Sequence, residues 1–110
     1  YMSYRYEDLN GNRTIASRGA DLAAKKGLLV VNAAGNYGAS TTYKYIMTPA
    51  DGDSVLAVGQ VDTAGVIGIH SSWGPSADGR IKPDVVSVGV NAFIQNSAGG
   101  IGPAGGTSFA

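Results

Sequence analysis

The sequence has no cysteine, so neither a disulfide framework nor a thiolate metal site is open to it, and its redox compartment cannot be read. It has no excess of either charge: eight Lys and Arg stand against eight Asp and Glu. A nucleic-acid partner would show as a basic surplus on one face, and none is present. The one basic doublet, Lys25-Lys26, fits the end of a helix dipole. No apolar stretch approaches the roughly 20 residues of a membrane span. The opening "YMSYRYEDLNG" lacks signal-peptide character and does not begin with Met, and reads as the middle of a longer chain. Histidine occurs once, at position 70.

What is present is ordinary for one globular domain. The chain has 110 residues, 44% apolar and 15% charged, enough for a core beneath a lightly charged surface. Glycine is abundant, at 17 residues. These glycines do not form a linker. They punctuate short β-branched runs and mark tight connections at strand ends.

The stretch "NRTIASRGADLAAKKG" predicts a helix over 14–26. Asn12 or Thr14 can cap it, Ile15, Gly19, Leu22, Ala23 and Lys26 recur at helical spacing, and Gly27 stands where a helix stops. "LLVVNAAGN" follows, and its unbroken apolar start predicts a strand over 28–32, buried on both faces as in a parallel sheet. Further runs at 54–61 and 83–88 predict two more strands, and "AFIQN" at 92–96 an edge or hairpin strand. Loops are expected at 37–53 and 71–82. The fold class is therefore α/β, a mostly parallel sheet with flanking helices. One helix is too few to cover such a sheet, and the chain reads as truncated at both ends.

Three places offer chemistry. Asn36 follows a strand end, where open α/β sheets bind ligands, and its amide could donate to one; it could equally serve a left-handed turn. Ser108, in the terminal "GGTSFA", could cap a helix or act as a nucleophile. His70, in "GIHSSWG", has no orienting carboxylate beside it and reads as structural. "AGGIGPAGGTS" lacks the lysine that a phosphate-binding loop requires.

"VVNAAGN" at 30–36, "TPA" at 48–50, "VLAVGQVD" at 55–62, "SSWGP" at 71–75, "KPDVVSVG" at 82–89 and "GTSFA" at 106–110 run in one order. In that order and spacing they resemble the subtilisin-like serine peptidases, from the helix at 14–26 to the last residue. The resemblance implies the central-to-late part of one catalytic domain, 1–110, that hydrolyses peptide bonds through an acyl-enzyme. It implies Ser108 as nucleophile, Asn36 as side-chain donor of the oxyanion hole with the Ser108 N–H as second donor, and Ala33, Ala34 and Gly35 as a substrate-binding wall. It implies a cis peptide before Pro49. Asp62 matches an acidic position near a weak cation site in some members. Calcium accompanies some of the family, and no metal or cofactor is assigned here.

The chain departs from the family at three places. Ser87-Val88-Gly89 stand where Ala-Pro-Gly is usual, and Gly105 where Asn is common. The family's aspartate and histidine motifs, Asp-Thr/Ser-Gly and His-Gly-Thr, occur nowhere in the chain, and His70 does not match the second. The expected partners are a peptide or protein substrate and the remainder of the catalytic domain, with a secreted, cell-surface or periplasmic location implied by the resemblance. By itself the chain is expected to be nearly inert. The rival reading is a non-catalytic module that holds an extended peptide against 33–36.

Overall fold

The computed structural model describes residues 4–110; residues 1–3, part of the opening stretch, lie outside the described residues. One helix, α1 (Ile15–Lys25), precedes strands β1 (Val30–Ala33), β2 (Val55–Val61) and β3 (Val85–Val88), which form a sheet in the order β1-β2-β3. Both pairings are parallel, with Val30 opposite Val55 and Val58 opposite Val85. Strands β4 (Ala92–Gln95) and β5 (Ile101–Ala104) form an antiparallel hairpin, and a single helical turn, Thr107–Phe109, follows it. The α/β class and the expected β1–β2 neighbourhood are thus as read. No helix among the described residues is long and apolar enough to cross a membrane.

Helix α1 begins where the sequence signals it. Thr14 is the N-cap, and its side chain accepts a hydrogen bond from the Ser17 N–H. At the other end Gly27 takes a positive φ and its N–H closes on the Ala24 carbonyl. The face α1 buries is not the apolar stripe that spacing suggested. Ile15 and Leu22 point to solvent, and Ser17 and Asp21 are buried. Their satisfaction is tertiary. Ser17 Oγ donates to Asp51 Oδ1, Thr14 Oγ1 lies 2.6 Å from Thr48 Oγ1, and Asp51 Oδ2 accepts the Gly11 N–H at 2.8 Å. Asp21 accepts the Ser54 N–H at 2.9 Å. A buried polar face of this kind is stable only because every member is paired. It fixes the 48–51 turn against the helix.

The strand expected at 28–32 pairs over Val30–Ala33, because Leu28 and Leu29 precede the ladder and stand exposed. Strand β2 is the buried centre, with Val55, Ala57, Val58 and Val61 all inside. Strand β3 is exposed throughout, so the expected cover on both sheet faces is absent among the described residues. The Lys82 ammonium, almost fully buried, ties β2 to the segment before β3. It donates to the Val55 carbonyl at 2.8 Å and to Asp84 Oδ2 at 2.7 Å, while Asp84 accepts the Ala57 N–H. The core proper joins Ala34, Ile46, Ala50 and Ala57. Its small side chains let the loop 44–50 lie close beneath the end of β1. The Thr48–Pro49 peptide is cis, and so are Gly74–Pro75 and Lys82–Pro83. Strand β5 falls in the glycine-rich stretch that carried no strand signal. Ile101-Gly102-Pro103-Ala104 become a strand by pairing with Ala92–Gln95.

Candidate active site

The site forms where the carboxyl end of β1 meets the return of the β4–β5 hairpin. The hairpin opens at Gly89 and closes at Gly106, whose N–H donates to the Gly89 carbonyl at 2.9 Å. A Cβ at Gly89 would stand 2.7 Å from the Gly106 carbonyl oxygen, so only glycine allows this approach. The clamp delivers Thr107 and Ser108 to the segment that follows β1.

There, residues 71 positions apart interlock. Asn36 Oδ1 accepts the Thr107 N–H at 2.9 Å and the Thr107 hydroxyl at 3.1 Å. The same hydroxyl accepts the Gly35 N–H at 3.2 Å. With its oxygen held twice, the Asn36 amide has a fixed orientation, and its Nδ2–H₂ is turned away from Thr107. Among the described residues neither Asn36 Nδ2 nor the Ser108 N–H has a hydrogen-bond partner. Both Asn36 and Ser108 are exposed, while Thr107 beneath them is buried. Two neutral donors and one hydroxyl therefore share an accessible surface.

The turn reading of Asn36 fails. Gly35, not Asn36, takes the left-handed conformation, with φ +113°, and Asn91 is the one non-glycine residue with positive φ among those described. The cap reading of Ser108 fails as well: Gly106 is the residue before the turn, and Ser108 is its middle residue. Ala33 ends β1, Ala34 is fully buried in the core, and Gly35 is pinned on both sides. The Gly35 carbonyl accepts the Ser72 N–H at 2.9 Å, and Ser72 Oγ in turn accepts the Tyr37 N–H at 3.0 Å.

His70 is exposed, and its backbone carbonyl accepts the Gly38 N–H at 3.0 Å. Among the described residues its ring makes no hydrogen bond to Ser108 or to a carboxylate. Asp62 is engaged locally, accepting the Ala64 and Val66 N–H groups in a tight turn. Among the described residues no group of three or more His, Asp or Glu side chains is placed to hold a metal ion. Next to Asn36, Tyr37 begins an aromatic series that continues through Tyr43, Tyr45 and Tyr6, with successive ring centroids 5.6, 6.1 and 4.1 Å apart. Burial, then the nearby Asp51 carboxylate and Tyr37, push the Tyr43 phenol above its usual value and keep it neutral.

Thr107 is the residue the sequence reading missed. Its sequence position suggested only a helix cap beside Ser108, a place Gly106 takes, and its partners Gly35 and Asn36 lie across the chain.

An accessible serine hydroxyl and two N–H donors unpartnered among the described residues thus lie near the carboxyl end of a parallel strand, in an α/β fold. The model of the subtilase family matches residues 5–110, and the chain belongs to that family of serine proteases. Among solved structures it is similar to the self-cleaved protease domain of PatA and to the patellamide maturation protease PatA. Each is 30% identical with a TM-score of 0.67, over 84% of this chain and 32% of that one. It is also similar to the prenylagaramide maturation protease PagA, 28% identical with a TM-score of 0.67, over 84% of this chain and 31% of that one. The chain thus spans about a third of the length of these proteases.

Proposed function

We propose that this chain supplies the nucleophile and the oxyanion hole of a serine endopeptidase that works through an acyl-enzyme. The observation that carries the reading is the lock of the Asn36 amide oxygen by Thr107, which leaves an oriented N–H donor beside Ser108. In this reading the Ser108 Oγ attacks a peptide carbonyl carbon while its proton passes to a base. The carbonyl oxygen, now negative, accepts hydrogen bonds from Asn36 Nδ2 and the Ser108 N–H. The leaving amine takes the proton, and water then hydrolyses the acyl-enzyme. Ala33 and Gly35, both half-buried, form a wall along which the substrate backbone lies, and Ala34, expected there with them, is wholly buried in the core beneath it.

The described residues offer Ser108 no base, and His70 is not placed as one. The base and its orienting carboxylate belong, on this proposal, to the remainder of the catalytic domain. That remainder also covers the apolar sheet surface left open at Val31, Val86 and Val88. Treating the complete protease with a fluorophosphonate probe tests the assignment. One covalent adduct per chain on Ser108, lost in Ser108→Ala, is expected. An adduct on another serine, or none in a protein that cleaves peptides, refutes it.

A further inference from the structure

The sequence holds one Asn-Gly pair, Asn10-Gly11, in the turn that leads into α1. Such a pair is chemically fragile. Glycine has no Cβ to shield its nitrogen, so that nitrogen can reach the neighbouring side-chain amide. The Gly11 nitrogen bonds to Asn10 Cγ, and the Cγ–Nδ2 bond breaks. The Gly11 proton passes to solvent base, and the leaving nitrogen takes a proton from water and departs as ammonia. Water then opens the cyclic imide at either carbonyl, leaving aspartate or an isoaspartate whose main chain runs through the side chain. Water is the only co-reactant, and nothing is oxidised or reduced.

The fold opposes each step of that reaction. Gly11 is buried, and its N–H donates to Asp51 Oδ2 at 2.8 Å. Removing that proton would set a negative nitrogen against a carboxylate, and a like charge at hydrogen-bond distance opposes ionisation. Asp51 is wholly buried, and Ser17 Oγ holds its other oxygen. Where a Cβ on Gly11 would stand, Arg80 Nη2 is 2.8 Å away and the Asp51 carbonyl oxygen 3.0 Å. Arg80 is fixed in that place by donating to the same carbonyl at 2.7 Å, and so covers the Gly11 backbone. The Asn10 amide is held as well, because its Oδ1 accepts the Asn12 N–H at 3.0 Å.

We propose that Asn10-Gly11 is a latent self-modification site, and that Asp51 is the lock that keeps it shut while this segment is docked. Local opening of residues 9–12 frees the Gly11 N–H and starts the chemistry. The isoaspartate product cannot close again, because its longer main chain puts Gly11 and Asn12 out of register with Asp51 and α1. The same segment is stitched to the 75–77 loop. Tyr6 Oη donates to the Pro75 and Ser76 carbonyls, and the Ala77 N–H donates to the Leu9 carbonyl at 2.8 Å. Each opening therefore exposes the tie between this segment and the 48–51 turn to permanent loss.

The test uses the complete protease carrying Ser108→Ala, to prevent self-digestion during incubation at mildly alkaline pH. Conversion of Asn10 is followed by mass spectrometry of digests and by enzymatic methylation of isoaspartate. Asn96-Ser97, exposed at the tip of the hairpin, is the internal reference. Because only the locally opened fraction reacts, Asn10 should convert about tenfold or more slowly in folded protein than in urea. Asp51→Asn keeps the size of the side chain and removes its charge. It should speed Asn10 conversion by about tenfold, the scale of one hydrogen bond to a charged group, and leave Asn96 unchanged. Equal Asn10 rates in folded and urea-unfolded protein overturn the proposal. An unchanged Asn10 rate in Asp51→Asn overturns it too, by removing Asp51 as the lock. A rise of equal size at Asn96 assigns the protection to the fold at large and has the same force.

Discussion

Replacing Thr107 by Val removes one hydroxyl and keeps the shape of the side chain, and the structure says what that hydroxyl does. It accepts the Gly35 N–H at 3.2 Å and donates to Asn36 Oδ1 at 3.1 Å. Both bonds are long, so each contributes toward the lower part of the usual 0.5–1.5 kcal/mol. Val also leaves the Gly35 N–H facing a methyl group in a site that is 2% exposed at residue 107, which costs about 1–3 kcal/mol. A loss of about 2 kcal/mol in stability follows. The catalytic effect is separate. Asn36 keeps the Thr107 N–H as its second anchor, so its amide is loosened and not lost, and kcat should fall by about tenfold, near 1.4 kcal/mol, with KM unchanged. Thr107→Ser restores the hydroxyl and should restore kcat. Steady-state kinetics on the complete protease, normalised by active-site titration, gives the rate per folded molecule. A Thr107→Val enzyme with full kcat per titrated site, or a Thr107→Ser enzyme as slow as the Val variant, would refute the positioning role.

Gly35→Ala combines a left-handed φ of +113° with a Cβ that overlaps Met47, so we expect a loss of about 2–5 kcal/mol in the complete protease, measured as a lowered denaturation midpoint. Partial burial pushes the Asp78 carboxyl up, but hydrogen bonds from Arg80 and Ser76 and the Arg80 charge outweigh it and hold the group below the usual carboxylate range. The stability this gives is present above about pH 4 and is lost as pH falls through the lowered value. Asp78→Asn should therefore flatten the acid limb of the stability profile, and an unchanged limb would refute the link. The 110-residue chain alone should show no peptide hydrolysis and no fluorophosphonate adduct, because a serine without a base is a weak nucleophile. Stoichiometric labelling of Ser108 in that chain would bring His70 back into the mechanism.

The elements that the sequence disclosed are those whose signals are local. Thr14, Lys25-Lys26 and Gly27 mark both ends of α1, and the β-branched runs at 30 and 55 announce a parallel pair. Where the signal is tertiary, the reading went astray. Ser17 and Asp21 are buried because Asp51 and Ser54, over 30 residues away, satisfy them, and no helical periodicity carries that information. Ile101-Gly102-Pro103-Ala104 has poor strand propensity and pairs only because β4 offers the register. At the site, the residues by themselves left Asn36 between turn and donor, and Ser108 between cap and nucleophile. The ordered motifs singled them out, and in the folded chain Asn36 is hydrogen-bonded to Thr107, the residue before Ser108. The role of Thr107 stayed silent because its partners, Gly35 and Asn36, lie on another segment.

The central claim is that Asn36 stabilises charge that forms only in the transition state. Asn36→Leu keeps nearly the same volume and removes the donor. The expected fall in kcat is roughly 10²–10³, a magnitude carried over from removal of the oxyanion asparagine in a subtilisin and not worked from this structure. KM should change little, since a donor aimed at the oxyanion contributes little to ground-state binding. The measurement is kcat per active site by burst titration of the complete protease, taken with the thermal midpoint. A large drop in kcat per site at a near-normal midpoint is the predicted result. An unchanged kcat per titrated site, with only the yield of folded enzyme reduced, would contradict the account and reduce Asn36 to a structural residue.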